Sequence, residues 1–155
     1  MKTKGPLKIC LVASAGGHLT QLRKVANAWT GYSTFWITSK NVVRRTLNGD
    51  GKVYVVGECN REHLGRVVLV FFRCLRAIFT EKPDVVISTG AAPGCIAVFL
   101  GKLRGAKVVW LDSITNVDRL SLSGWMVRPF ADLFLVQWPE LTTKYRRVEY
   151  VGEVI

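Results

Sequence analysis

A chain of 155 residues, 49% of them hydrophobic, is long enough for one domain with a real core and too apolar to be disordered. Its net charge of +11 implies an anionic partner: nucleic acid, anionic lipid or a phosphorylated ligand. Four dispersed cysteines (Cys10, Cys59, Cys74, Cys95) with only His18 and His63 beside them exclude a zinc module and read as reduced thiols in a cytosolic protein, so no metal is expected.

The pattern of elements is expected to be β-α throughout. An apolar run from Lys8 to Ala13 predicts the first strand, and Leu19 to Trp29 a helix with Leu22, Val25, Ala26 and Trp29 on one face. Thr34 to Thr38 reads as a strand, Val42 to Leu47 as a short basic helix, Gly49-Asp50-Gly51 as a turn and Lys52 to Val56 as a third strand. A long helix follows from Glu62 to Phe79, then a strand from Val85 to Ser88 and a helix from Ala92 to Leu103 that ends at Gly105. Lys107 to Leu111 and Leu133 to Gln137 read as strands on either side of a helix near Gly124 to Phe130, and Val148 to Val151 as a short seventh strand. The alternation predicts a single Rossmann-like α/β domain over residues 1–155, a mainly parallel sheet with helices on both faces. No stretch reaches the ~18 to 20 apolar residues that span a bilayer, so the chain is expected to touch a membrane without crossing it.

In such sheets ligands bind beyond the C-terminal strand ends. Three loops fall there. Ser14-Ala15-Gly16-Gly17-His18 brings two glycines and a helix start, which suit an anion such as a diphosphate. It is neither G-x-G-x-x-G nor a P-loop, which argues against a nicotinamide enzyme and against an NTPase. His18 stands where the helix begins; an imidazole there donates to a phosphate, takes a proton from a hydroxyl, or only caps the helix. Ser88-Thr89-Gly90 repeats the small-residue design after the fourth strand and is either a second phosphate or sugar contact or a tight turn. Asp112, at the tip of the fifth strand, is a second candidate base or a sugar ligand.

Taken together, S-A-G-G-H-L-x-Q, S-T-G-A-A and L-S-L-S-G-W-M-V-R-P-F-A-D-L-F-L-V-Q-W-P-E-L resemble one family from Lys8 to the C-terminus. It is that of the eukaryotic membrane-anchor subunit of the transferase adding the second GlcNAc to dolichyl diphosphate, whose bacterial relatives are the PssD-type subunits of exopolysaccharide and capsule synthesis. The resemblance implies half of a split, MurG-like GT-B enzyme: the N-terminal side, binding membrane and acceptor. A separate donor-binding subunit would supply most of the UDP-sugar pocket. It implies a polyprenyl-diphosphate-linked saccharide as acceptor and a peripheral place on the cytoplasmic face of the membrane. His18 and Asp112 are then the catalytic candidates, and Ser14, Gly16, Gly17, Ser88, Thr89 and Gly90 the diphosphate set. Gln137, Trp138, Pro139 and Glu140 match the Q-W-P-E-L signature. Many members carry Glu-Ser and then an arginine after strand five, where this chain has Asp112-Ser113 and Asn116.

The eukaryotic subunit begins with a membrane-spanning helix, whereas Met1 to Leu7 alone precede the first strand here. The Glu62 to Phe79 helix is the expected substitute. Arg66, Arg73 and Arg76 share one side, with Leu69 and Val70 expected to be exposed beside them, and anionic lipid as the partner. The alternative is a core helix with a basic solvent stripe. Nucleic acid is not expected, because the basic residues are dispersed and form no recognisable binding motif.

Overall fold

The computed structural model describes residues 5–47, 51–59 and 63–154. Its strands are β1 (Lys8–Ala13), β2 (Ser33–Thr38), β3 (Lys52–Val55), β4 (Val85–Ser88), β5 (Lys107–Leu111), β6 (Leu133–Val136) and β7 (Glu149–Tyr150). Its helices are α1 (Gly17–Lys24), α2 (Val42–Thr46), α3 (Leu64–Glu81), α4 (Ala91–Leu103), α5 (Leu122–Val127) and α6 (Glu140–Lys144). All seven strands lie in one parallel sheet in the order β3-β2-β1-β4-β5-β6-β7. This is the Rossmann-like architecture that the alternation predicts.

The elements differ from the sequence reading in instructive places. The first helix stops at Lys24, and Ala26–Trp29 continues as a 3-10 turn that still buries Trp29. The α6 turn after Pro139 is too short to leave a periodic signature. The predicted start of the long helix at Glu62 and the turn residues Gly49 and Asp50 lie outside the described residues.

Two cores sandwich the sheet. Cys10 and Val12 of β1 join Val70, Cys74, Ala77 and Ile78 of α3, with residues of α4 and α5, on one face. Ile9, Leu11 and Ala13 join Leu19, Leu22, Trp29, Val43 and Leu47 on the other. Alternate residues of β1 thus serve opposite cores, as the period of two requires.

Candidate functional site

The crevice lies where β1 and β4 part. They pair directly, Val12 opposite Ser88, but β1 leads toward β2 and β4 toward β5 on opposite sides. Both strands run into a helix through glycine. Gly16 precedes α1 with φ 110°, and Gly90 precedes α4 with φ 131°; no side chain caps either helix. Two helix N-termini, with their unpaired N–H groups and positive dipole ends, therefore border one opening. Ala91 also has a positive φ of 65°, costly for a residue with a Cβ, so the second loop is strained where it meets α4.

His18 spans the two loops. Its Nδ1 is 2.7 Å from the carbonyl oxygen of Thr89, and the Thr89 hydroxyl donates back to the His18 carbonyl at 2.7 Å. A carbonyl only accepts, so Nδ1 carries the proton and Nε2 of the neutral ring keeps its lone pair. A Cβ on Gly90 would sit 2.6 Å from His18 Cε1. Glycine is required there twice over, for the backbone angle and for the ring.

The remaining predicted diphosphate residues divide. Ser14 is half-buried, and Gly16 and Gly17 are exposed at the α1 start. Ser88 and Thr89 are fully buried: the Ser88 hydroxyl accepts from the Gly90 N–H at 3.2 Å, and Thr89 holds His18. Both side chains and the Gly90 N–H thus make hydrogen bonds within the protein. Ser39 was not foreseen. Its hydroxyl accepts from the Ala15 N–H at 3.0 Å and props the glycine loop. A 330 Å³ cleft beside this loop is lined by Ser14, Ser39, Glu58, Cys59, Arg66, Ala91 and Pro93. Arg66 thus borders the cleft as well as belonging to α3.

Asp112 is 1% exposed. Oδ1 accepts from Trp110 Nε1 at 3.2 Å and from the Ser121 hydroxyl at 2.6 Å, and Oδ2 from the Ser121 N–H at 2.9 Å. Ser121 in turn caps α5 by accepting from the Gly124 N–H. Three donors on a carboxylate that is nearly shut from solvent make Asp112 the anchor of the β5–α5 loop.

The Q-W-P-E signature is also architectural. Buried Gln137 donates to Gln21 Oε1 of α1 and to the Asp112 carbonyl, both at 2.9 Å, and accepts from the Val154 N–H at 2.8 Å. Trp138 Nε1 donates to the Ile114 carbonyl at 2.7 Å. Pro139 and Glu140 are exposed at the start of α6. These contacts lock the end of β6 to α1, to the β5 loop and to the chain's tail.

On α3, Leu64, Val68, Phe72 and Phe79 form an exposed apolar strip, and Phe72 is 59% exposed. Arg76, Arg73 and Arg66 form an adjacent basic strip, with Leu69 exposed among them. Val70 is 1% exposed and belongs to the core, contrary to its expected exposure, because the buried arc of α3 runs through Val70, Cys74 and Ala77. Arg73 also donates to the Val56 carbonyl at 3.2 Å, which fixes the basic strip against the end of β3. No helix among the described residues is long and apolar enough to cross a membrane.

The fold defines the class: a Rossmann-like α/β domain of the kind found in the N-terminal half of MurG-like GT-B proteins. MurG of Acinetobacter baumannii superposes with a TM-score of 0.76 at 16% identity, covering 96% of this chain and 45% of that one. The particular family comes from sequence. Residues 52–154 match the family described as "Oligosaccharide biosynthesis protein Alg14 like", and the chain belongs to it. The UDP-N-acetylglucosamine transferase subunit ALG14 of Mus musculus is 30% identical across 96% of this chain and 83% of its own length. The alg14 subunit of Schizosaccharomyces pombe is 47% identical over 79 residues, which span 46% of this chain and 37% of the relative.

Proposed function

We propose that this chain is the acceptor-binding half of a UDP-sugar-dependent glycosyltransferase that extends a polyprenyl-diphosphate-linked saccharide at the cytoplasmic face of a membrane, in exopolysaccharide or capsule assembly of the PssD type. A partner subunit binds the donor. The observation that carries this reading is the His18–Thr89 clasp between two uncapped helix starts, in a chain of the Alg14-like family.

In this reading the α1 N-terminus, Gly16, Gly17 and Ser14 hold the acceptor diphosphate, and Arg66 adds a cation from the cleft wall. The acceptor sugar extends past His18. As its hydroxyl oxygen bonds to the anomeric carbon of the donor, Nε2 takes the hydroxyl proton and UDP leaves with the electrons of the broken bond. Thr89 fixes the tautomer that makes Nε2 the base. The strips on α3 dock the protein: Leu64, Val68, Phe72 and Phe79 enter the acyl boundary, while Arg66, Arg73 and Arg76 meet lipid phosphates at ~1 kcal/mol each.

The test is reconstitution with a donor-half polypeptide of the same genome, chosen by resemblance to the C-terminal half of MurG, on vesicles carrying a polyprenyl-diphosphate sugar. Each protein alone is expected to be inactive and the pair active. Arg66→Glu, Arg73→Glu and Arg76→Glu together should release the chain from anionic vesicles in flotation. Robust transfer by this chain alone would place the active site elsewhere, and unchanged flotation of the folded triple variant would remove α3 from the membrane surface.

A further inference from the structure

His18 lies in the first turn of α1, a helix too short to hold itself in place. Gly17–Lys24 makes about two turns, no side chain caps its start, and isolated helices that short are marginal in water. Leu19 and Leu22 seat it in the second core. Apolar burial is non-directional, so it fixes the depth of a helix better than its rotation. Rotation is what aims His18, and directional hydrogen bonds must set it.

Two clasps among the described residues supply them. His18 and Thr89 bond each other reciprocally just beyond β4. Three residues on, and so on the same side of the helix, buried Gln21 accepts from Gln137 Nε2 at 2.9 Å. Gln137 is held from two further directions: Nε2 also donates to the Asp112 carbonyl at 2.9 Å, and Oε1 accepts from the Val154 N–H at 2.8 Å. Two acceptors facing Nε2 and one donor facing Oε1 leave its amide a single orientation. At 1% exposure no water can replace a lost partner. The clasps tie α1 to the ends of β4 and β6, two strands and hence ~10 Å apart in the sheet.

We infer that Gln137 is a positioning residue for His18, acting through Gln21 and the rotation of α1. The inference rests on the reading under Proposed function, in which His18 Nε2 takes the acceptor proton. A helix held at Thr89 alone can pivot about that point; a second hold ~4.5 Å along its axis stops the pivot. With α1 fixed, Nδ1 stays on the Thr89 carbonyl and the neutral ring keeps its lone pair on Nε2. Without the second clasp α1 turns, the Nδ1 bond loosens and the ring exchanges tautomers. A ring with its proton on Nε2 cannot accept another there.

Methionine is unbranched like glutamine and lacks its amide, so Gln21→Met removes this clasp while Gln137 keeps Asp112 and Val154. Gln137→Met removes all three bonds; should it fail to fold, Gln21→Met carries the test. Nitrogen-15 spectra of the full chain alone, at mildly alkaline pH, read the ring. Wild-type His18 is expected as the single Nδ1–H tautomer and both variants as a mixture. His63 is the other histidine, and His18→Ala identifies the His18 signals. With the donor-half polypeptide that restores transfer, each variant should lower kcat at least fivefold. In a His18→Ala background the same substitutions should lower it less than twofold, because they act through the ring. A kcat change of equal size in both backgrounds shows a merely structural role and overturns the proposal. A single tautomer in the variants also overturns it and leaves the functional reading standing. A wild-type pair that transfers nothing overturns the functional reading itself, and the role in proton transfer with it.

Discussion

The loops after β1 and β5 carry the two side chains that the sequence offers as bases, and the fold uses them in opposite ways. His18 spends one ring nitrogen on Thr89 and keeps the other for a proton, at an opening bordered by two uncapped helices. Asp112 spends both oxygens on Trp110 and Ser121 and is shut from solvent. Both stand at strand ends on the ligand edge of the sheet. What separates them is access: a carboxylate bonded and buried by its own protein holds structure, and a half-buried ring with one nitrogen unspent at an opening is available for chemistry.

The largest effect that sharpens this contrast falls on His18. In the reconstituted complex His18→Ala should lower turnover by at least about tenfold, toward the ~10²- to 10⁴-fold that a positioned base contributes, with folding and partner binding unchanged. Undiminished turnover in that variant would break the comparison. Gly90→Ala probes the same ring without removing it. The added Cβ collides with the imidazole and the backbone loses its favoured angle, so turnover should fall several-fold, with stability lower by ~1–3 kcal/mol.

Asp112 should show the reverse pattern. Asp112→Ala leaves the Trp110 and Ser121 donors buried without an acceptor, a loss on the order of 3 kcal/mol in urea unfolding. Activity per folded molecule should stay within about twofold. A stable Asp112→Asn variant with no turnover would return the role of base to Asp112.

The smallest effect lies at the other end of the sheet. Glu81 is held from its ordinary 4.5 down to about 2 by hydrogen bonds from Lys52, Lys8 and Tyr54, with Lys52 Nζ at 2.8 Å and Tyr54 Oη at 2.5 Å. A carboxyl lowered on folding adds stability that is fully present above 4.5 and is lost as pH falls through about 2. Glu81→Gln should flatten the acid limb of stability in that window and leave transfer at neutral pH unchanged. Parallel unfolding curves for wild type and variant from pH 2 to 6 would show that the cluster contributes nothing.

Local pattern was sufficient for much of this molecule. Apolar runs at β1, β4, β5 and β6 and the glycines at positions 16, 17 and 90 disclose a parallel α/β sheet and the loops at its ligand edge, because strand period and backbone permissiveness are properties of neighbouring residues. The rotation of α3 was not legible. Its apolar residues run nearly all round, and only packing on the sheet decides that Val70 turns inward and Leu69 outward. The roles of Asp112, Ser88 and Thr89 were hidden for the same reason. Thr89 meets His18 from 71 residues away and Gln137 meets Gln21 from 116, and a hydrogen bond across such separations leaves no periodic trace. The sequence by itself thus determined the architecture and the place of the crevice. Which polar groups are spent and which remain free was decided only when the chain brought its distant segments together.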